Sequence, residues 1–361
     1  MPAVTNSNSE TVRAGSEPLV SVVVCTHNGE ATIGDTLRAL TSQDFTDSME
    51  IVVIDDGSTD LTSEIVRAFP VRLITLPVNV GLSAARNRGI EATLAPFVAF
   101  TDDDCIPPRH WVTELHREWT KMGSETQAIG GTVEPNITNT FNRRFNHYRH
   151  TLSPTSLRLG GASFILRLRL YLRGEGIVLP SDQSQYVLLL VGANMSFRRD
   201  ALVAVGGFDE TRRFGGDEAP VCLKIQERWG VHSIWCAPSI VMGHNFDSKL
   251  RDTFRRAYAY GIGSGRDYAE AGGIPALRPI GGLIIAMVAV STLMQGISRE
   301  EWWIPLVVAA MAPYLSTARG SRESTNSSVL EKMIFPLVAA CEEICAVFGF
   351  FIGWLRTRRI G

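Results

Sequence analysis

Residues 96–104 read Pro96-Phe97-Val98-Ala99-Phe100-Thr101-Asp102-Asp103-Asp104. An apolar run leads straight into three carboxylates. The run is short and lacks polar alternation, the pattern of a strand covered on both faces. Carboxylates crowded at such a strand end repel one another unless positive charge sits between them. A divalent cation carrying a phosphate is the natural counter-charge. Asp102 and Asp104 stand two apart, so in an extended segment they share one side while Asp103 faces away. Their hard oxygens suit Mg2+ or Mn2+. A surface turn rich in aspartate carries the same letters, and a DxD pattern alone is common.

Upstream the chain alternates strand and helix signals. Val20 to Cys25 is a β-branched apolar run, ended by the turn Thr26-His27-Asn28-Gly29. Residues 30–43 carry helical spacing through Ile33, Leu37 and Leu40. Ile51 to Ile54 is a second strand, closed by Asp55-Asp56-Gly57-Ser58; Leu61 to Phe69 is a helix stopped by Pro70. A third strand spans Val71 to Leu76, a turn Asn79 to Gly81, and a helix 82–93. This rhythm predicts an α/β fold with a largely parallel sheet between helices. Ligands in such sheets bind beyond the carboxyl ends of the strands, where Asn28, Asp55, Asp56 and the aspartate cluster fall.

The middle is less regular. Residues 132–160 read as loop around an aromatic, basic stretch from Phe141 to His150. Residues 164–173 alternate leucine and arginine, the pattern of a strand or interfacial element with one basic face. Val191 to Phe197 and Ile234 to Met242 fit strands, and 220–229 fits a helix with Pro220 in its first turn and Gly230 after it.

The chain has 361 residues, room for one large domain with a tail or two modest ones. A formal net charge of −2 gives no global field towards nucleic acid. None of the six cysteines forms a close CxxC pair, which suits reduced thiols and a cytosolic catalytic part. Residues 1–17 form a polar, loose leader without the basic start and apolar core of a signal peptide.

Three apolar stretches follow residue 278, at about 280–298, 303–316 and 333–355. The first can just span a bilayer and the second is short. The third carries Glu342 and Glu343 near its centre, which is costly in lipid, so it lies along the surface or turns its acids towards protein. Arg319 and Arg322 follow the second stretch, and Arg356, Arg358 and Arg359 follow the third. Positive ends prefer the cytoplasmic side, so a hairpin plus an interfacial helix fits a cell-membrane protein with its catalytic part on the cytoplasmic face. Core helices of a soluble domain are the alternative.

Other polar residues could act at the same crevice. Asp55 or Asp56 could accept from a ligand, while Asp56 or Ser58 could instead cap the next helix. Thr26 and Asn28 could line the crevice or merely form the turn. Arg86 and Arg88 could contact phosphate or pair with an aspartate. Asp217-Glu218 follows Phe214-Gly215-Gly216 and precedes a helix. Either acid could accept a proton if burial raises its pKa towards neutrality, or both could cap that helix. His244 ends an apolar strand and could stand beside a metal or phosphate, or serve packing alone.

In order along the chain, Val22 to Asn28, Val53 to Asp60, Asn79 to Gly89, Phe100 to Asp104, Gly192 to Arg199 and Gly206 to Glu210 form a specific set. Over about residues 20–265 the chain resembles family 2 glycosyltransferases of the GT-A fold, membrane-associated bacterial type. The resemblance implies a GT-A catalytic domain at 18–270 and a C-terminal membrane-associated helical region at 271–361. It implies donor contacts from Thr26, Asn28, Asp56, Arg86, Asp102 and Asn194. It implies a metal held by Asp102, Asp104 and His244, with Asp104 the more direct ligand. The family usually has Glu-Asp before the late helix, with the aspartate as base. Here the order is reversed, so Glu218 holds the base position and Asp217 is its alternative. The implied reaction is inverting transfer of one sugar from a nucleotide-diphosphate donor, by default a UDP-sugar, to a hydroxyl of a glycan or lipid-linked acceptor. Cell-envelope polysaccharide or glycolipid assembly is the implied setting, with no nucleic-acid partner.

Two rivals share this outline. Processive polysaccharide synthases usually carry Gln-x-x-Arg-Trp after the base; Gln226-Glu227-Arg228-Trp229 has the Arg-Trp without that spacing. A non-catalytic nucleotide-sugar binding module is the other, suggested by the reversed acid pair. A nicotinamide-binding fold fits worse, because no GxGxxG turn follows the first strand.

Overall fold

The computed structural model describes residues 17–136, 139–212, 215–247, 249–271, 311, 313–319, 321–322 and 327–358. The leader up to residue 16, the apolar stretch 280–298 and most of 303–316 lie outside them.

The amino-terminal half follows the expected alternation. It runs β1 (Val20–Thr26), α1 (Ile33–Thr41), β2 (Met49–Asp55), α2 (Thr62–Arg67), β3 (Arg72–Thr75), α3 (Leu82–Ala92) and β4 (Phe97–Asp102). Then come β5 (Cys105–Ile106), α4 (Trp111–Lys121), β6 (Ala128–Pro135), α5 (Phe141–Arg149), β7 (Thr155–Ser156) and α6 (Phe164–Arg173). The chain continues through β8 (Gln185–Leu189), β9 (Met195–Arg198), α7 (Arg199–Ala204), α8 (Glu218–Trp229), β10 (Ile234–His244) and α9 (Leu250–Ala271). The last described helix, α10, spans Val329–Arg358.

One sheet carries the strands in the order β3-β2-β1-β4-β9-β6-β10-β8-β7, with β5 paired to β10. β3, β2, β1 and β4 are mutually parallel, as are β6 and β10; β9 runs antiparallel between β4 and β6. The sheet is therefore mixed and mostly parallel. Val22, Val23, Val24, Val52, Val53 and Ile54 have no exposed surface. Helices cover both faces, which is why these strands read as unbroken apolar runs. Burying each such side chain stabilises the fold by about 1.5–3 kcal/mol.

Register sets the site. Thr26 lies opposite Asp55, and Cys25 opposite Asp102, so the polar ends of three parallel strands line one edge.

Two readings of the middle are corrected. Residues 132–160 are not a loop: β6 enters the sheet, and α5 is capped by Thr140, whose hydroxyl accepts from the Arg143 amide. Residues 164–173 form the helix α6, not a strand. Ser163 caps its start by accepting from the Leu166 amide, and left-handed Gly174 ends it. Caps at both ends of a ten-residue segment outweigh the two-residue alternation.

The third apolar stretch is α10, packed lengthwise on α9. A Cβ on Gly261, Gly265, Gly349 or Gly353 would collide with backbone of the facing helix, so the two axes can approach only because these residues are glycine. Glu342 and Glu343 turn towards protein: Arg149 of α5 donates to both, at 3.1 and 2.6 Å, and Tyr171 of α6 donates to Glu343 at 2.7 Å. By length and composition α10 is the one described helix able to cross a membrane; a third of its apolar window is buried against protein.

Candidate active site

β4 ends at Asp102, residues 103–104 turn, and β5 leads back along β10. This tight reversal, not an extended run, puts Asp102 and Asp104 on the same side. Their carboxylates, the His244 imidazole and the Cys105 sulfur all offer an atom within 4.8 Å of one another. His244 Nε2 stands 3.2 Å from Asp104 Oδ1, and its Nδ1 is buried with no hydrogen-bond partner.

Asp103 takes the opposite side and accepts from the Thr26 hydroxyl. Gly29 closes over this pair; a Cβ there would overlap both the Asp103 carboxylate and the Thr26 oxygen.

Burial first, then the neighbouring Asp102 charge, raises the Asp104 carboxyl to about 7. Burial likewise brings Asp103 to about 7, against the hydrogen bond from Thr26. Burial lowers His244 to about 4, which leaves a neutral ring with a lone pair to give. Burial pushes the Cys105 thiol up, so it stays protonated and is a poor ligand for a hard cation. Two carboxylates and a neutral imidazole therefore fit a divalent ion such as Mn2+ or Mg2+.

Arg86, in the second turn of α3, ties this cluster to the second acidic pair. Its guanidinium donates to Asp217 at 2.5 Å, to Asp102 at 3.1 Å and to the Gly192 carbonyl at 3.3 Å. Only 2 % of Arg86 and 1 % of Asp217 is exposed, so this is a buried ion pair, and removing one partner costs about 3–5 kcal/mol. The Phe208 ring lies 5.6 Å from the guanidinium carbon. Burial alone would depress the arginine's pKa; Asp217 and Asp102 raise it above the ordinary value.

Asp217 is thus committed to Arg86. Glu218 opens α8 beside it, and burial, then the Asp217 charge, raises its carboxyl to about 7. Asp217 is spent in the ion pair, and the raised carboxyl is that of Glu218.

The expected donor contacts divide. Asp56 is 4 % exposed and accepts from the Val80 and Gly81 amides at 2.7 and 2.9 Å, holding the turn that starts α3. Asn28, in the left-handed region at φ 54°, staples β1 to the loop after β2: its amide donates to the Ser58 hydroxyl and its side chain accepts from the Thr59 amide. Both stand at the strand ends with Thr26. Asn194 does not reach the rim. It is fully buried, accepting from Trp111 at 2.9 Å and donating to the Thr132 and Ile240 carbonyls at 2.8 Å. A donor contact through Asn194 has no exposed atom to act through.

Sequence reasoning missed α9. Tyr260 packs where a Cβ on Gly215 would stand, and the Arg256 charge pulls the Asp104 pKa down against burial. The only signal was an ordinary amphipathic helix far along the chain.

Residues 21–202 match the model of glycosyl transferase family 2. A glucosyl-dolichyl phosphate glucuronosyltransferase of Haloferax volcanii is 28 % identical over 228 residues, 60 % of this chain and 66 % of the relative. Glycosyltransferase AglE of the same organism is 37 % identical over 123 residues, 32 % of this chain and 40 % of the relative. The matches thus span about two fifths to two thirds of these curated relatives. A mannosyltransferase of Pyrobaculum calidifontis, solved in complex with GDP-Man and Mn2+, superposes with a TM-score of 0.51 at 17 % identity, covering 95 % of this chain and 88 % of the other. That likeness shows a common GT-A architecture. With half its length matched by the family model and its sheet built to that plan, the chain belongs to glycosyl transferase family 2.

Proposed function

We propose that the chain transfers one sugar from a nucleotide-diphosphate donor to an acceptor hydroxyl with inversion, and that Glu218 is the base. The observation that carries this is the division of the acid pair: Arg86 holds Asp217 and Asp102 at once, while burial, then the Asp217 charge, raises the neighbouring Glu218 carboxyl to about 7. In the step, the acceptor oxygen bonds to the anomeric carbon as the carbon–phosphate oxygen bond breaks, and the hydroxyl proton passes to Glu218. Asp102, Asp104 and His244 would hold a divalent ion, which when bound neutralises charge on the departing diphosphate. Arg86 keeps Asp217 from competing for the proton. A UDP-sugar is the first donor to test, with GDP- and dTDP-sugars beside it.

A lipid-linked acceptor at the cytoplasmic face of a membrane fits two features. Val329, Leu330, Met333, Leu337 and Phe348 of α10 are exposed, an apolar face that no described residue covers. The Haloferax relative is named for glucosyl-dolichyl phosphate, a sugar on a lipid phosphate. In this reading the region from 271 onward is a membrane-associated extension of the catalytic domain, with α10 riding on α9 and α5.

The processive alternative has less support: Gln226 donates to the Val187 and Leu188 carbonyls and Arg228 to the Ala204 carbonyl, so that segment is spent on packing. Glu218→Gln tests the base. Donor turnover with Mn2+ falls about a thousandfold while donor affinity is kept; unchanged turnover rejects Glu218. No turnover in the unaltered protein, with any donor or metal, favours a binding module.

A further inference from the structure

We propose that a basic cavity beside α6, apart from the acidic cluster, binds the phosphate of an amphiphile through Arg173 and Arg322. The cavity lies between the end of α6 and residues Leu315, Ala318, Arg319 and Arg322, and has a volume of about 670 Å³, a size that holds a ligand headgroup. Four arginines line it, Arg158, Arg173, Arg319 and Arg322, against two acids, Glu175 and Asp182. Among the described residues, four against two leaves two positive charges uncompensated.

The pairing shows which arginines are spent. Arg319 pairs with Asp182, and Arg158 with Glu175 at 2.6 Å. Arg173 meets Glu175 only at 3.9 Å, and its side chain is 54 % exposed. Among the described residues Arg322 has no acidic partner. Two guanidinium groups facing one cavity match the tetrahedral oxygens of a phosphate, which they can grip in pairs. Arg319 also donates to the Gly174 carbonyl, so the helix end and the wall are tied together.

The apolar part of the wall argues for a tail. Leu172, Ile177 and Leu315 line the cavity, and Leu315 is 48 % exposed. Free phosphate has no use for that rim. A phosphate on a hydrocarbon stem uses both, with its head among the arginines and its stem along the leucines. The headgroup of a bulk anionic phospholipid and the phosphate of a lipid-linked acceptor share this chemistry. The second source rests on the acceptor reading above.

Full-length protein is floated with vesicles of phosphatidylcholine alone, with added phosphatidylglycerol, or with an added polyprenyl monophosphate. Arg173→Glu/Arg322→Glu is compared with the unaltered chain and with Arg38→Glu, an exposed charge reversal elsewhere. The double reversal is expected to weaken binding to polyprenyl phosphate vesicles about tenfold, the size of a lost charged hydrogen bond, while Arg38→Glu leaves it unchanged. Loss in that arm alone assigns the lipid-linked source; equal loss with phosphatidylglycerol assigns the bulk headgroup. Undiminished binding in both arms, with an unchanged Tm, overturns the site. If the reversal unfolds the chain, Arg173→Gln/Arg322→Gln is read the same way. Metal-dependent donor hydrolysis by the unaltered protein is scored in parallel; its failure sinks the sugar-transfer reading and leaves the binding result standing.

Discussion

Two regions of this molecule bury carboxylates around a single arginine, and they do so to opposite ends. At the strand rim, Arg86 faces Asp102 and Asp217, while Asp103, Asp104 and Glu218 crowd nearby with pKa values raised to about 7. Under α10, Arg149 donates to Glu342 and Glu343, and Tyr171 supplies one more hydrogen bond. The second cluster is closed: its acids have donors, and it fastens a helix. The first is left short of positive charge. Acids held close together without enough cations take up protons or a metal, and that deficit is what chemistry can use.

The sharpest break of the comparison is at Glu218. Beyond the turnover loss of Glu218→Gln, the pH profile tests the deficit itself. A base must be ionised, so kcat/KM climbs with pH and levels off above about 7. Asp217→Asn removes the negative neighbour and frees Arg86 to favour the Glu218 anion. Both changes shift the rising limb to lower pH, and a limb that stays in place assigns it to another group. Stability runs the other way. A carboxyl whose folded pKa lies above its unfolded 4.5 stabilises the fold fully below pH 4.5 and ceases to as pH rises through about 7. Glu218→Gln therefore gains in Tm against the unaltered protein at pH 8 and not at pH 4.

In the closed cluster the matching change is Arg149→Met. It leaves two carboxylates without their shared donor, at a cost of about 3–5 kcal/mol in urea unfolding. Tripling the change to Arg149→Met/Glu342→Gln/Glu343→Gln recovers much of that loss, because the stranded charges go with their partner. A single substitution costing under 1 kcal/mol would show that the cluster is wetter than its burial implies.

The open region was the legible one. Val20 to Cys25, Ile51 to Ile54 and Pro96 to Phe100 announced buried parallel strands, and the polar residues after each had to fall on one edge. Local pattern fixes such strands, and the rule for parallel sheets fixes their ends. Arg86 was visible only as a cation near the right helix, because its partner Asp217 lies 131 residues away and no local signal joins them. Asn194 looked like a rim residue and proved to be a cross-strand brace. A buried amide and a ligand-binding amide have the same letter, and only the three partners separate them. The closed cluster was half legible: Glu342 and Glu343 demanded partners, but Arg149 sat in a stretch read as loop. The alternation at 164–173 hid α6, whose buried Arg167, Leu170 and Tyr171 follow helical spacing once the caps are counted.

Asn194 ranks next. Asn194→Ala strands the Trp111 donor and the Thr132 and Ile240 carbonyls inside the sheet, a loss of about 2–3 kcal/mol in unfolding free energy. Donor affinity per folded molecule stays unchanged if the residue is a brace, and a fall would restore it to the donor site.

The smallest change probes how the closed cluster is held. Arg149 sits in the last turn of α5, and Thr140 caps the first by accepting from the Arg143 amide. Thr140→Ala should cost about 1 kcal/mol, the usual worth of such a cap. If α5 is pinned mainly by its ties to α10, amide exchange in α5 stays slow and only the global Tm falls. Faster exchange confined to residues 141–149 would show that the cap, not the Arg149 ion pair, keeps the helix formed. The strand rim provides the internal control: Asp56 and the Val80 and Gly81 amides share no element with α5, so their protection is unmoved in either case.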